Sequence, residues 1–168
     1  MPFRPFENQN CSIARAAELF TERWTMLILR EVFLGRQRFS QIKRNTGVAS
    51  NILSDRLQML VEHGIVVRVD QEEKGQTVER YVPTQKGIDA QPILLAMLAW
   101  GDKYAAPDGA PRELFHETCG HAVHAKMVCD HCGGDLKASN TKLRAGPGAD
   151  DRQRRAGEIA PFPRDDVA

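Results

Sequence analysis

Two hydrophobic periods divide the first two-thirds of the chain. Before residue 64, apolar residues recur every three or four positions, which is typical of helices with one buried face. After residue 64 a run of β-branched residues takes over, which is typical of strands. The first helix is predicted from Ile13 to about Phe20 with Ser12 as its N-cap, and the second from Thr21 to Phe33, ended by Gly35.

A second pair of helices follows after a short loop. Ser40 is expected to cap a short helix, and Gly47 supplies the turn that ends it. The next helix is predicted from about Ser50 to His63. Its apolar face consists of Leu53, Leu57, Leu60 and Val61. The opposite face holds Asn51, Asp55, Gln58 and Glu62, with Ser54 at its margin.

Two β-runs come directly after these helices. Gly64 stops the helix, Ile65–Val69 forms the first run, and Val78–Val82 forms the second, with a polar tip over Gln71–Gln76 between them. The pattern predicts a mainly α fold with a small β wing, which is a winged helix-turn-helix. That motif places its second helix in the DNA major groove.

The last helix of this region is apolar over most of its circumference. Thr84 is expected to cap a short segment, Gly87 and Pro92 interrupt it, and a helix then runs from Pro92 to Ala106. A helix of this kind buries two faces, so we expect it to join two subunits in a homodimer. The alternative is simple burial against the second helix.

Three stretches carry a family resemblance. They are CSIARAAELFTERWTMLILREVFLGRQRFSQI, NILSDRLQMLVEHGIV and ERYVPTQKG. In them the chain from residue 11 to about residue 106 resembles the HxlR family of bacterial transcription regulators, a MarR-like winged-helix group. The resemblance implies a DNA-binding and dimerisation domain over residues 11–108 that acts on double-stranded DNA as a homodimer with a pseudo-palindromic operator.

The resemblance also implies which side chains approach the bases. The N-terminal part of the predicted second helix of the motif enters the groove, where Asn, Gln and Ser can hydrogen-bond to base edges. The candidates for base recognition are Ser50, Asn51, Ser54 and Gln58. Ala49 stands where this family usually has a Ser or Thr cap, so Ser50 is expected to cap the helix one residue later.

Basic residues are concentrated around this helix. From residue 36 to residue 56 there are five basic side chains and one acid, Asp55, although the formal net charge of the chain is only +1. Such a patch suits contacts to phosphates on one face, the alternative being a solvated charged loop. Arg56 is equally suited to an ion pair inside the domain. The candidates for phosphate contacts are Arg36, Lys43, Arg44, Arg56 and Lys74.

The composition changes after a linker at residues 107–111. Residues 112–138 are rich in Cys and His, and Cys-Gly and Cys-x-x-Cys-Gly turns predict a ribbon-like hairpin with a structural zinc. The alternative is a hairpin with unmetallated thiols. Three of the expected ligands are cysteines, and a nearby histidine is the fourth. The candidates are Cys119, Cys129 and Cys132 with His121, or with His116 or His124 in its place.

The remaining chemistry is sparse. Cys11 precedes a predicted helix, where a thiolate is stabilised, so it is a candidate redox site, the alternative being a half-buried packing residue. No catalytic constellation is evident, and the protein is not expected to be an enzyme. We expect a flexible arm at residues 1–10, a disordered tail at residues 139–168, no membrane span and a cytoplasmic location.

The sequence is also compatible with two functions other than DNA binding. One is a zinc-ribbon adaptor that binds protein and uses the winged helix as a dimer scaffold. The other is a small redox enzyme that uses Cys129 and Cys132, although no βαβ unit surrounds them. Salt-dependent binding to duplex DNA separates the first prediction from both alternatives.

Overall fold

The computed structural model describes residues 9–157 and residue 159, and these form two compact units that divide between residues 111 and 112. The predicted flexible arm at residues 1–10 falls almost wholly outside the described residues. No helix in the described part of the chain is both long enough and apolar enough to cross a membrane.

The first unit is a winged helix-turn-helix, as predicted. Its elements are α1 (Ser12–Phe20), α2 (Thr25–Phe33), α3 (Phe39–Thr46), α4 (Ser50–Glu62), β1 (Val66–Glu73), β2 (Gln76–Pro83), α5 (Gln85–Ile88) and α6 (Gln91–Tyr104). The two strands form one antiparallel hairpin, in which Val66 pairs with Pro83 and Glu73 pairs with Gln76.

The core of this unit lies where α2, α3, α4 and the base of the wing meet. Apolar residues from all four elements are buried there, because each helix carries its apolar positions on one face. The members include Ile28, Leu29, Val32, Ile42, Leu53, Leu57, Leu60, Ile65 and Val66. Leu94 of α6 packs against this core from outside.

Several predicted caps are wrong. Cys11 and not Ser12 precedes α1, and Arg38 and not Ser40 precedes α3, so both serines lie inside their helices. The second helix starts at Thr25, since residues 21–24 form a turn in which the Thr21 hydroxyl donates to the carbonyl oxygen of Ala17 at 2.8 Å. The predicted cap at Thr84 is confirmed, because its hydroxyl accepts a hydrogen bond from Gly87 N–H at 3.1 Å.

The wing is longer than predicted. Its strands continue through most of the polar tip and leave only a two-residue turn at Lys74 and Gly75, whose φ angles are 50° and 77°. Two positive φ angles in a row match the twist of the strands and allow a tight hairpin. The tip of the wing is therefore Lys74, and its polar neighbours Glu72 and Glu73 belong to β1.

Hydrogen bonds and ion pairs fix the base and the tip of the wing to the helices. The N–H of Tyr81 donates to the carbonyl oxygen of Gln37 at 2.9 Å. Arg38 at the start of α3 and Arg80 of β2 both form ion pairs with Glu73. The hairpin is thus held against the helix-turn-helix at both ends.

The described part of the second unit contains a short two-stranded hairpin, a second hairpin turn with a bridge between Val128 and Asp135, and one short helix. The hairpin pairs β3 (Leu114–His116) with β4 (His121–Val123). A disordered tail was expected over residues 139–168. The described residues of this segment instead include α7 (Asp151–Ala156) and a bridge between Leu143 and Ile159. Asp150 explains the helix, because its side chain caps Gln153 N–H in a capping box.

Candidate nucleic-acid interface

The candidate residues for base recognition lie on one exposed face of α4. Ser50, Asn51, Ser54 and Gln58 are all exposed, whereas Leu53, Leu57 and Leu60 of the same helix are buried. This division follows from the sequence, because the polar residues fall on the side of the helix away from the core. The Gln58 side chain donates to Glu62 at 2.8 Å.

The start of α4 differs from the prediction in one respect. The helix begins at Ser50, and the N-cap is Ala49, which has no side chain that could accept a hydrogen bond. Ser50 therefore does not cap the helix, and the helix does not start one residue later than is usual in the family, as had been predicted. Free amide groups at a helix start favour a negatively charged neighbour.

The candidate phosphate residues fall into two groups. Lys43, Arg44 and Lys74 are exposed, the first two in the last turn of α3 and the third at the tip of the wing. Within the described residues none of these three forms an ion pair. Arg36 and Arg56 are instead engaged within the protein: Arg36 contacts Glu31 at 2.8 Å, and Arg56 contacts Glu22 at 3.3 Å.

Glu31 is a buried acid that supports this region and that the sequence-based prediction missed. Its side chain is only 1% exposed, yet it accepts hydrogen bonds from Arg30, Arg36 and Asn45 at 2.8 to 2.9 Å. Burial alone would raise its pKa, but the hydrogen bonds from Arg36, Asn45 and Arg30 outweigh burial and hold the pKa below its ordinary value. Glu31 thereby connects α2, the following loop and α3. An acid among the apolar positions of a helix was the available clue.

The thiol candidates lie on elements other than α4. Cys11 is partly exposed at the start of α1. Cys119 and His121 lie at the hairpin of the second unit, and Cys129 and Cys132 lie in a later turn. Hydrogen bonds from the backbone of Cys132, then from that of His131, lower the pKa of the Cys129 thiol. Among the described residues no three Cys, His, Asp or Glu side chains form a group that could hold a metal.

The predicted zinc ligands are therefore not gathered into one site. Cys119, His121, Cys129 and Cys132 are distributed over two turns, and the predicted zinc ribbon is not established by this arrangement.

A family model described as HxlR-like helix-turn-helix matches residues 19–109, more than half of the chain. The chain belongs to the HxlR-like helix-turn-helix family. The match spans α2 to α6 and both strands of the wing. As an HxlR-like protein it is a transcription regulator with a helix-turn-helix DNA-binding domain. The family consists of regulators and gives no support to a scaffold-only role for the winged helix.

Relatives of the HxlR-like chain agree with this assignment. Rv3095 of Mycobacterium tuberculosis strain H37Rv, an uncharacterized HTH-type transcriptional regulator, is 43% identical over 138 residues, which is 82% of this chain and 87% of that protein. This match is longer than the first unit, so it extends into the second.

Solved structures give the same result. The crystal structure of PA1607, a candidate transcription factor, is similar with a TM-score of 0.74 and 33% identity, and the match covers 86% of this chain and 99% of that one. The structure of PA1374 from Pseudomonas aeruginosa, another candidate transcription factor, is similar with a TM-score of 0.60 and 34% identity, covering 87% and 99% of the two chains.

Proposed function

We propose that this HxlR-like regulator binds a specific pseudo-palindromic operator as a homodimer. The observation that carries the proposal is the exposed polar face of α4, which follows the turn at Gly47 and precedes the wing. Helices in this position enter the major groove with their N-terminal residues against base edges.

Base recognition is assigned to the first turns of α4. Asn51 and Gln58 can each form paired hydrogen bonds with adenine, and Ser50 and Ser54 can donate or accept. All four side chains are exposed and need no rearrangement of the core to reach a base. Gln58 would exchange its contact with Glu62 for one with DNA.

Phosphate contacts are assigned first to the exposed basic residues. Lys43 and Arg44 lie before the turn, and Lys74 lies at the tip of the wing, so they flank α4 in the chain on both sides. Arg36 and Arg56 contribute less in this proposal, because each would have to leave a carboxylate partner. Contacts of this kind neutralise the backbone without distinguishing sequences.

The dimer surface is assigned to α6. Four large apolar side chains, spaced three or four residues apart, form one row on its outer side and are exposed. They are Ile93 (40%), Met97 (53%), Trp100 (64%) and Tyr104 (63%). Monomeric proteins rarely expose such a continuous apolar row, and a second copy of the chain would cover it. A two-fold dimer places its half-sites about one helical turn, or a multiple of it, apart.

Selection from a randomised duplex library tests the proposal. The wild-type protein should enrich a pseudo-palindrome, and its affinity should fall steeply with salt. Asn51→Ala or Gln58→Ala should lose about 1–3 kcal/mol of discrimination at one position of each half-site. Lys43→Ala with Arg44→Ala is the matched control, since it should weaken all sequences alike. A wild-type protein that enriches no sequence would overturn the proposal.

A further inference from the structure

The second unit lacks a core that could hold it together. None of its described residues, 112–157 and 159, is buried, and large apolar side chains such as Phe115 and Met127 are more than 60% exposed. Small units without an apolar core usually depend on a disulfide, a metal or a partner. All four cysteines of the chain are free thiols, which leaves three of them in this unit available to a metal.

Two turns of this unit have the same construction. One is His116-x-x-Cys119-Gly120 and the other is Cys129-x-x-Cys132-Gly133. In each, the glycine N–H donates to the carbonyl oxygen of the first residue, at 2.9 Å and 2.8 Å. The two glycines have φ angles of 70° and 71°, which other residues rarely adopt. By sequence and backbone conformation, His116 occupies the same position in the first turn as Cys129 in the second, and Cys119 the same position as Cys132.

Each turn closes a short hairpin. The first joins β3 to β4, whose last pair is His116 with His121. The second is closed by Cys129 N–H, which donates to the carbonyl oxygen of Gly134 at 2.8 Å, and by Leu136 N–H, which donates to that of Met127 at 2.9 Å. The four side chains therefore lie at the ends of two hairpins, on turns whose backbone is already fixed.

The first turn brings its two donor atoms together. Nδ1 of His116 lies 3.2 Å from Sγ of Cys119. Two ligand atoms of a tetrahedral zinc, with bonds of about 2.0–2.3 Å, lie only slightly farther apart than this. The separation suits joint coordination without a change of backbone.

We propose that His116 and Cys119 of one turn and Cys129 and Cys132 of the other bind one structural zinc ion. The two turns are not gathered into one group in the described residues, so the ion would draw the hairpins together and supply the cohesion that the missing core does not. The folding of this unit would then depend on metal. The four zinc ligands share no residue with the α4 face, so the metal site and DNA binding can be tested separately.

The proposal changes the fourth ligand from His121 to His116. His121 places Nδ1 at 2.6 Å from the carbonyl oxygen of Cys119, an interaction that suits either a ligand or a supporting residue. The correspondence between the two turns decides for His116, since the position matching His121 in the second turn is Gly134.

Metal analysis of the full chain, purified without added metal or chelator, tests the site. The wild type should carry one zinc per chain, and its cobalt-substituted form should show the visible absorption of a tetrahedral thiolate site. Cys129→Ser and His116→Ala should each lose most of the zinc, whereas His121→Ala, the matched control, should keep it.

Limited proteolysis provides a second readout that does not depend on the variants. Removal of zinc with a chelator should expose residues 112–157 to cleavage, while residues 11–108 stay protected. Wild-type protein without zinc and without a cobalt spectrum would overturn the site. Loss of zinc in the His121 variant with retention in the His116 variant would overturn the ligand set.

Discussion

Glu31 is one of two buried polar side chains in the described part of the chain, the other being Thr25, and we expect it to contribute to stability. It is buried, negatively charged and contacted by three side chains from three places in the chain. The clue in the sequence is weak, since Glu31 lies between Arg30 and Val32 in a helix whose other positions already account for the core. Its partners are supplied by the tertiary fold, which no local spacing predicts.

Glu31→Gln should lower the free energy of unfolding by about 1–3 kcal/mol at neutral pH, because hydrogen bonds to a charged group are lost. The folded state holds the Glu31 pKa below its ordinary value of 4.5, so its contribution is present above that pH and is lost as the pH falls through the folded pKa. Chemical denaturation at several pH values should show the two proteins converging in acid. Glu113→Gln, at an exposed position, is the control, and an equal effect of both changes would contradict the role.

The role of Cys11 can also be tested with a single substitution. Its position before α1 suits a thiol that responds to oxidants, and this function stays a prediction. Wild type and Cys11→Ser should be compared in a DNA-binding assay with and without diamide. The wild type should lose binding and the variant should keep it. Equal loss would place the response at another cysteine, and no response in either would make Cys11 a packing residue.

The elements themselves could largely be predicted from the sequence, and the exceptions have physical reasons. The helix-turn-helix, the wing and the long apolar helix follow from periodicity, because each period matches one kind of buried face. The starts of α1 and α3 could not be predicted, since Ser12 and Ser40 are better capping residues by type than Cys11 and Arg38, which precede the helices. The length of the wing depends on Lys74, which adopts a positive φ that its sequence does not favour.

The exposed face of the candidate site could be predicted from the sequence, but the ion pairs around it could not. The exposed face of α4 follows from helical geometry once the core face is known. The ion pairs of Arg36 and Arg56 could not be predicted with certainty, because their partners Glu31 and Glu22 come from an earlier helix and from a turn. A basic residue near a recognition helix can serve either DNA or the protein itself, and only the three-dimensional contacts distinguish the two.

The oligomeric state of the whole molecule can be tested at the outer row of α6. Met97→Glu should convert a dimer into a monomer and weaken operator binding, because it places a charge in the middle of an apolar interface. Met97 is 53% exposed, so the fold of the single chain should be kept. Gln91→Glu adds the same charge on another side of α6 and should leave the dimer intact. Light scattering at micromolar concentration is the measurement, and a monomeric wild type would contradict the dimer.

The ion pairs of Glu73 with Arg38 and Arg80 have a consequence for operator length. Lys74 follows Glu73 directly, so the tip of the wing cannot swing independently of α3. In the proposed complex, the place that α4 contacts and the place that the wing contacts would then be a fixed distance apart along the duplex. Each inserted base pair moves the second place by about 3.4 Å and rotates it around the axis. We therefore expect the affinity for the operator to fall more when a base pair is inserted between these two places than when a single base is changed.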